Sequence, residues 1–547
     1  MGTVDGGLLS SVLQGLYTFG VPSITRSFSS VDMEALQAML HDKKVLRHSN
    51  EPPAVYVASS DTLTVSILER LVHEQGTSTA FKPFDIVKLS DESIRDKTFS
   101  TFVSRPPGVL VLQADVPFLV PGGRFNEQYG WDSYFIALGL AVSSQPGLVD
   151  LVRGTVTQLF YQLKHFGKIL NANRSYYFNR SQPPFTTAAA ALLPEGPVRD
   201  EAMQLARVEY ETVWMSGDHV NQETGLNKYG GGPVSLCSAV EPGGYFKTFQ
   251  QVAQVKGVDV RELIHTVYRG ESLGDPQVYR LVADDLAMRE SGHDTTARLA
   301  DCASVLLPVC LNSLLYKIER DLGLEEVAEL RRSKVYQFMW SKEAGYFMDY
   351  NYETGRKQRF VSPAGMVYPL WAGLVREEDA HRVRDVLVAH LEYTGGIVGS
   401  TEESSSSGHF QWDYPWGWAP HQVMAWTGLM NYGFVVDAQR LAYRWSNLCA
   451  GIHAMGQCVP EKLDVVNNSI GVDVEYGSQC LGIREYFGWT AASLVFARHN
   501  VLTPEQVAHL EVGTPTELVF DIPESITWRL TLSREGTECS CNTVFTQ

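Results

Sequence analysis

Apolar residues recur every three or four positions through much of the chain between residues 115 and 500. One such run comprises Val149, Val152, Val156, Leu159, Phe160 and Leu163. This spacing predicts one buried stripe along a helix, and it returns at 311–322, 380–391 and 439–448. Alternation of apolar and polar residues, which indicates strands, is scarce here. The pattern therefore predicts an α-solenoid or a closed helical toroid, and the lack of a fixed repeat counts against a repeat-family solenoid.

The two ends of the chain differ from this helical middle. Residues 1–105 mix short helical patterns with loops, and a Ser-Arg-Pro-Pro-Gly turn at 104–108 marks a break. We expect a leading segment over 1–105 that packs on the toroid, a helical domain over 106–500, and a small appendage over 501–547. Within the appendage, residues 517–533 have the pattern of strands around a turn, which predicts a β-hairpin.

Composition narrows the class of protein. The 547 residues carry 45 Lys and Arg against 62 Asp and Glu, a net charge of −17, which argues against nucleic acid or an anionic membrane as a partner. Eight cysteines in 547 residues are too few for a disulfide scaffold, and because no C-x-x-C pair occurs among them a zinc site is not expected. The N-terminus lacks the basic start of a signal peptide. We expect a cytoplasmic protein without metal or cofactor, of undetermined oligomeric state.

Two loops combine aromatic rings with hydrogen-bonding groups that suit a sugar. The first, 121–134, holds two glycines followed by Arg124, Phe125, Trp131 and Asp132. A pyranose needs planar polar groups for its hydroxyls and an aromatic face for its C–H bonds. A Gly turn before a helix, with Asp132 as its N-cap and Trp131 in the core, explains these residues equally well. The second loop, 171–184, is a further hydroxyl-binding candidate or an ordinary polar loop.

Three more segments contain candidate chemistry. Residues 290–296, Glu-Ser-Gly-His-Asp-Thr-Thr, place Asp294 in a tight turn, where it is a catalytic acid or simply a helix cap. Residues 411–422 crowd three tryptophans into a loop, which core packing does not explain. Residues 474–479 present Glu475 beside a Gly turn, where an ordinary solvated surface position is the simpler interpretation when this segment is taken alone.

Together these segments resemble the trehalases, glycoside hydrolase family 37. The first loop is similar to the family signature Pro-Gly-Gly-Arg-Phe-x-Glu-x-Tyr-x-Trp-Asp-x-Tyr. Residues 411–420 match its second signature, Gln-Trp-Asp-x-Pro-x-Gly-Trp-Ala-Pro. The resemblance covers about residues 105–498 and is strongest to fungal-type neutral trehalases. We do not expect their regulatory N-terminal extension or their calcium-binding loop, because no Asp-x-Asp-x-Asp-Gly pattern occurs.

This resemblance implies an all-α fold, an (α/α)6 toroid, and hydrolysis of α,α-trehalose to two glucose molecules with inversion. It implies Asp294 as general acid and Glu475 as general base, with the two carboxyl groups roughly 6.5–9.5 Å apart so that a water fits between them. The sugar-binding positions that it implies are Arg124, Phe125, Trp131, Asp132, Asn173, Arg180, Gln182, Glu241, Gly292, Trp412 and Glu485.

Three departures from the family pattern concern the pocket wall. An arginine expected near 228–233 is missing, Ala297 replaces an aromatic residue, and the segment from Glu475 to Phe487 is short. They leave two alternatives open. The chain could act on another α-glucoside or on a non-sugar metabolite with Asp294 as proton donor, or it could be a non-catalytic sugar-binding protein.

Overall fold

The structure is a computed structural model, and it describes residues 7–28, 39–40, 53–75, 84–95, 108–231, 246–259, 276–405, 410–456, 458–470, 472–473, 477–478, 485–512, 517–521, 527–532 and 539–544. Glu241 and Glu475 lie outside them, so the structure says nothing about the positions predicted for these two side chains.

Helices make up most of the described chain. In order they are α1 Leu8–Gly15, α2 Val21–Ile24, α3 Thr62–Gln75, α4 Asp91–Arg95, α5 Gly130–Ala141, α6 Leu148–Phe166, α7 Thr186–Ala190, α8 Pro197–Glu209, α9 Phe246–Lys256, α10 Pro276–Glu290, α11 Val309–Asp321, α12 Glu325–Phe338, α13 Val367–Ala372, α14 Glu377–Leu391, α15 Ala419–Asn431, α16 Val435–Gly456, α17 Gly488–Phe496 and α18 Pro504–Val512. Three of them, α1, α8 and α17, continue into π-helical turns at Leu16–Gly20, Tyr210–Trp214 and Ala497–Val501, and 3-10 turns span Ser175–Tyr177, Gly217–His219, Ala303–Val305 and Pro363–Gly365.

Six of the described helices form a closed inner ring. The helices α5, α7, α11, α13, α15 and α17 contact one another in that order, and α17 packs against α5 to close the circle. Outer helices α6, α8, α12 and α16 each pack against the inner helix that precedes them in the chain. The expected all-α (α/α)6 toroid is therefore confirmed.

Burial explains which helices are inner and which are outer. All nine residues of α17 are buried, because an inner helix is covered on every side. Helix α6 instead buries one stripe that includes Val152, Val156 and Leu159. Val149 was predicted to belong to that stripe, but its side chain is 57% exposed. The prediction was wrong because Val149 stands in the first turn of α6, on the side away from the ring.

Strands are short and mostly peripheral. They are β1 Thr25–Arg26, β2 Ala54–Ala58, β3 Asp85–Leu89, β4 Gly108–Leu110, β5 Phe118–Leu119, β6 Leu306–Leu307, β7 Trp340–Ser341, β8 Tyr346–Phe347, β9 Tyr350–Asn351, β10 Arg356–Lys357, β11 Glu392–Tyr393, β12 Gly396–Ile397, β13 Trp416–Trp418, β14 Lys462–Asp464, β15 Val472–Asp473, β16 Gly477–Ser478, β17 Glu517–Asp521, β18 Thr527–Leu532 and β19 Cys539–Val544. The pair β13–β14 is antiparallel, with Trp418 opposite Lys462.

The chain ends add small sheets to the toroid. Near the N-terminus, β2 lies between the parallel strands β3 and β4, and α3 forms the crossover from β2 to β3. Helix α1 packs against α16, α17 and α18. Near the C-terminus, β17, β18 and β19 form an antiparallel sheet of three strands. Within the described residues, no helix is long and apolar enough to cross a membrane.

Candidate active site

A cavity opens at one end of the inner ring, where the loops that precede α5, α15 and α17 meet the C-terminal end of α10. It contains about 620 Å³ of space, including its open mouth. Nine of the residues predicted for the site line it: Arg124, Phe125, Trp131, Asp132, Arg180, Gln182, Gly292, Asp294 and Trp412. Further lining residues are Pro121, Tyr129, Asn171, Tyr177, Arg289, Gln411, Trp418, Glu461 and Trp489.

Aromatic rings form one surface of the cavity. The ring centroids of Trp131 and Trp412 are 5.4 Å apart, and Trp412 stacks on Trp418 at 4.0 Å. Gly292 allows this packing, because a Cβ added to it would lie 2.8 Å from the indole of Trp131 and its φ is +72°. The rings therefore line the cavity and are also part of the core, so a place in the core does not exclude Trp131 from the predicted site.

Asp132 is the most deeply buried acid of this surface. It stands in the first turn of α5 and lines the cavity. Burial raises its pKa well above the ordinary value, and the nearby carboxyl groups of Glu461 and Asp294 raise it further. Because neighbouring negative charges repel one another, the ionisation of each of these three acids depends on the charge of the other two.

The loop over residues 171–182, which we call the Arg180 loop, supplies polar groups. Arg180 lies over the ring of Tyr177 at 4.7 Å, and the Oε1 of Gln182 accepts a hydrogen bond from the Trp131 N–H at 2.9 Å. Burial lowers the pKa of Arg180 to about 10, and the neighbouring charge of Arg289 contributes to this shift. Both predicted residues therefore lie in the cavity.

Asn173, also predicted to bind sugar, is not among the residues that line the cavity. Its Oδ1 accepts a hydrogen bond from the Gln128 N–H at 2.8 Å, and its Nδ2 donates to the Leu110 carbonyl at 2.9 Å. The fully buried side chain thus fastens the Arg180 loop to β4 and to the first signature. We conclude that Asn173 supports the loop.

Asp294 lies in the loop over residues 291–297, which we call the acid loop, and its carboxylate faces an arginine that the sequence did not single out. Arg289 Nη1 is 3.1 Å from Asp294 Oδ2, while Arg289 Nε is 3.3 Å from Asp285 Oδ1. Arg289 is the last residue but one of α10, which directs its guanidinium into the cavity. It supplies a third lining arginine, beside Arg124 and Arg180, in a chain that lacks the arginine expected near 228–233.

The second signature holds the acid loop in place. The Gln411 side chain donates to the Asp294 carbonyl at 3.2 Å, and the Trp412 N–H donates to the Thr295 carbonyl at 3.0 Å. Asp413 accepts hydrogen bonds from the Thr296 hydroxyl at 2.6 Å and from the Ala297 N–H at 2.9 Å. Burial raises the pKa of Asp413 to about 6, against the opposing effect of these two donors.

Glu461 is the third acid that lines the cavity, and sequence reasoning missed it. It precedes β14, and its main-chain carbonyl accepts hydrogen bonds from Trp489 Nε1 at 2.9 Å and from the Thr490 hydroxyl at 3.1 Å. The only signal in the sequence is a glutamate just before a short strand. Nothing about its spacing distinguishes it, because β14 pairs with β13 only in the folded chain.

Glu485, the remaining predicted site residue within the described chain, is not among the residues that line the cavity. It is partly buried and adjoins the first signature, since a Cβ added to Gly123 would lie 2.8 Å from Glu485 Oε1. Its carbonyl accepts a hydrogen bond from the Val459 N–H at 2.8 Å. Among the described residues, no group of three or more His, Cys, Asp or Glu side chains is arranged to hold a metal ion.

Known proteins share this sequence and fold. The trehalase family model matches residues 29–499. The chain is 33% identical over 537 residues to a probable trehalase of Eremothecium gossypii, covering 86% of this chain and 70% of that protein. It is 36% identical to a cytosolic neutral trehalase of Saccharomyces cerevisiae, covering 69% of this chain and 56% of that protein.

The solved structure of a neutral trehalase from Saccharomyces cerevisiae superposes with a TM-score of 0.80 at 29% identity. The match covers 92% of this chain and 96% of that structure. The chain spans between about half and 70% of the length of the curated relatives it matches. The family model and the relatives agree with the resemblance of the two signatures, and the chain belongs to the trehalase family.

Proposed function

We propose that this protein hydrolyses α,α-trehalose to two glucose molecules with inversion, and that it does so in the cytoplasm, as the names of its cytosolic relatives suggest. One observation carries the proposal: two carboxylates from different parts of the chain, Asp294 and Glu461, line one aromatic cavity and both act on the pKa of Asp132. The relatives favour trehalose over another α-glucoside, a non-sugar metabolite or a non-catalytic role.

The lining residues suit a disaccharide of glucose. Trp131 and Trp412 offer faces for the C–H surface of a pyranose, while Arg124 and Arg180 donate hydrogen bonds to its hydroxyls. Asp132, with its raised pKa, can accept from one hydroxyl and donate to another. Charged hydrogen bonds of this kind are typically worth about 1.5–3 kcal/mol each.

Asp294 is the general acid in this proposal. Its proton passes to the glycosidic oxygen as the bond from that oxygen to the attacked C1 breaks, and one glucose leaves with its α configuration. The contact with Arg289 favours the ionised carboxylate in the free cavity. A sugar that draws the N–H groups of Arg289 to its own hydroxyls weakens this effect, which favours the protonated form of Asp294 that the step requires.

The general base removes a proton from a water as its oxygen bonds to C1, which gives β-glucose. Two glutamates are candidates. Glu475 is the one that the family resemblance suggested, and Glu461 is the one that lines the cavity among the described residues. We favour Glu461, because its carbonyl is held by two hydrogen bonds and its carboxylate is near Asp132.

Assays with two substrates distinguish the role of the acid from that of the base. Trehalose needs both groups, whereas α-glucosyl fluoride carries a leaving group that needs little protonation and so depends mainly on the base. We expect Asp294→Asn to lose roughly 10²–10⁴-fold in kcat on trehalose and to keep most of its rate on the fluoride. Glu461→Gln should lose both activities, and added azide should restore turnover of the fluoride as β-glucosyl azide.

Glu475→Gln is the matched variant in the same assay. Should it abolish fluoride hydrolysis and respond to azide while Glu461→Gln remains active, the base is Glu475 and our assignment is wrong. Should folded wild-type protein release no glucose from trehalose, the proposed activity itself is wrong.

A further inference from the structure

Lys462 follows Glu461 directly and is wholly buried. Its Nζ donates a hydrogen bond to Gln411 Oε1 at 2.8 Å and lies over the rings of Trp416 and Trp418, at 5.4 and 5.1 Å from their centroids. Burying an ammonium group is costly unless specific contacts compensate. The mechanism proposed above gives this lysine no task, and it is not among the residues that line the cavity.

The contacts of Lys462 lead to the acid. Gln411, which accepts from Lys462, donates its Nε2 to the main-chain carbonyl of Asp294 at 3.2 Å. The carbonyl of Gln411 is fixed in turn by the indole N–H of Trp418 at 2.9 Å. Two hydrogen bonds therefore connect Lys462 to the main chain of the proposed acid.

The same lysine is tied to the base through the backbone. Residue 462 is the first of β14, where it pairs with Trp418, and residue 461 lies just before it. Because successive side chains along an extended chain point to opposite faces, Glu461 can face the cavity while Lys462 lies behind the cavity wall. Lys462 is therefore the chain neighbour of the proposed base, Glu461, and two hydrogen bonds through Gln411 connect it to the main chain of the proposed acid, Asp294.

We propose that Lys462 is a positioning residue that fixes the acid loop relative to Glu461 and so sets the separation of the two catalytic carboxyl groups. This inference rests on the function proposed above, with Asp294 as acid and Glu461 as base. An inverting reaction needs that separation to be held so that one water fits between base and anomeric carbon. A displacement of about 1 Å in such an arrangement can cost roughly 10²-fold in rate.

The variant Lys462→Met tests the link while keeping an unbranched side chain of similar length. Methionine keeps the apolar contacts of the side chain with the two indoles and removes an ammonium group whose burial is costly, and the rate on α-glucosyl fluoride reports how much of the variant is folded. The Glu461 carbonyl keeps its bonds to Trp489 and Thr490, so the base stays in place. Only the acid loop should shift.

The expected result is a selective loss. On trehalose, kcat of Lys462→Met should fall roughly 10²-fold while KM stays near the wild-type value. On α-glucosyl fluoride, which does not need the acid, kcat should stay near that of the wild type. A role confined to folding would instead lower both activities together, in proportion to the loss of folded protein.

Gln411→Glu breaks the link at its second bond. The new carboxylate still accepts from Lys462, but it cannot donate to the Asp294 carbonyl. We expect kcat on trehalose to fall here too, and the double variant should be no worse on trehalose than either single one, because both act through one connection.

Lys317→Met is the matched control. Lys317 contacts Asp321 and lies 6.0 Å from the Trp371 ring centroid, so it too combines a polar contact with an indole outside the cavity. It should leave both activities unchanged. The proposal is overturned if Lys462→Met keeps full trehalose activity, or if it loses trehalose and fluoride hydrolysis equally. A wild-type protein inactive on trehalose would instead refute the proposed function and not this link alone.

Discussion

The acid loop and the Arg180 loop are both irregular and both line the cavity, but they are held in different ways. Consecutive residues of the second signature fasten the acid loop, through Gln411, Trp412 and Asp413. The Arg180 loop is fastened from several directions. Asn173 bonds to β4 and to the first signature, and the Ser181 N–H donates to Glu290 at the end of α10.

Because the two loops are held differently, we expect substitutions near them to have different effects. A loop held by one segment can lose its position without unfolding the toroid, because its supports do little else. A loop held by β4, the first signature and α10 shares its supports with the core, so damage there reaches the whole fold. Substitutions around the acid loop should therefore change kcat, and substitutions around the Arg180 loop should change the free energy of unfolding.

The largest effect should follow from Glu127→Gln. Arg174 of the Arg180 loop and Glu127 of the first signature form a fully buried ion pair, with 2.5 Å between Arg174 Nη2 and Glu127 Oε1. Breaking a buried pair by removing one charge typically costs about 3–5 kcal/mol. Denaturant unfolding should show this loss, while kcat per folded molecule changes little.

The double variant Glu127→Gln with Arg174→Met is the control for that experiment. Removing both charges should recover much of the lost stability. A single variant that unfolds like the wild type, or that loses kcat without losing stability, would contradict the assigned difference between the loops.

Asp413→Asn should have the next largest effect, and on activity. The amide cannot accept from both the Thr296 hydroxyl and the Ala297 N–H as the carboxylate does. We expect kcat on trehalose to fall roughly 10²-fold through displacement of Asp294, with a small change in Tm. Thr296→Val removes one of the two bonds and should cause a smaller loss, whereas unchanged kcat in both variants would contradict the support role.

A smaller effect is expected on the pH dependence of stability, through a histidine that contacts the acid loop. His421 contacts His293, the neighbour of Asp294, with 3.3 Å between their Nε2 atoms. Burial lowers the pKa of His421 to about 3, and the charge of Arg298 contributes. Between about pH 6.5 and 3 the unfolded chain binds this proton and the folded chain does not, so its contribution to stability falls as pH falls, by up to about 1.4 kcal/mol per unit.

His421→Gln removes that proton uptake. The variant should therefore gain stability relative to wild type as the pH is lowered from 7 to 5, because only the wild type loses the His421 contribution. Variant His390→Gln, at an exposed position of α14, provides the comparison and should not show this trend. A difference between His421→Gln and wild type that does not vary with pH would show that His421 does not stay neutral in the fold.

Helical periodicity predicted the helices because it reports burial directly, but it left a solenoid and a toroid open, and the family resemblance implied the toroid. The 3.6-residue stripe of α6 is real, and only Val149, at the helix start, departs from it. The two signatures likewise identified half of the cavity lining, because contiguous residues on one loop stay together on folding. Arg124, Trp131 and Asp132 are examples.

What sequence missed depends on contacts between distant segments. Arg289 and Glu461 have no signature of their own and reach the cavity only because α10 ends there and β14 pairs with β13. Asn173 is the opposite case, a residue that the sequence suggested for the site but that does not line the cavity. Its loop lines the cavity, whereas its amide bonds to the main chain of Gln128 and Leu110 in the wall. A loop can be located from sequence, whereas the direction of each side chain on it depends on its folded neighbours.

The most direct test of the account is the anomeric form of the glucose released from α,α-trehalose, followed by proton NMR in the first moments of the reaction with wild-type protein. Inversion with Asp294 as acid predicts α-glucose and β-glucose in equal initial amounts, before mutarotation mixes them. Asp294→Asn, in the same tube format, should release neither at a comparable rate. Release of α-glucose alone, or turnover that survives in Asp294→Asn, would contradict the central claim.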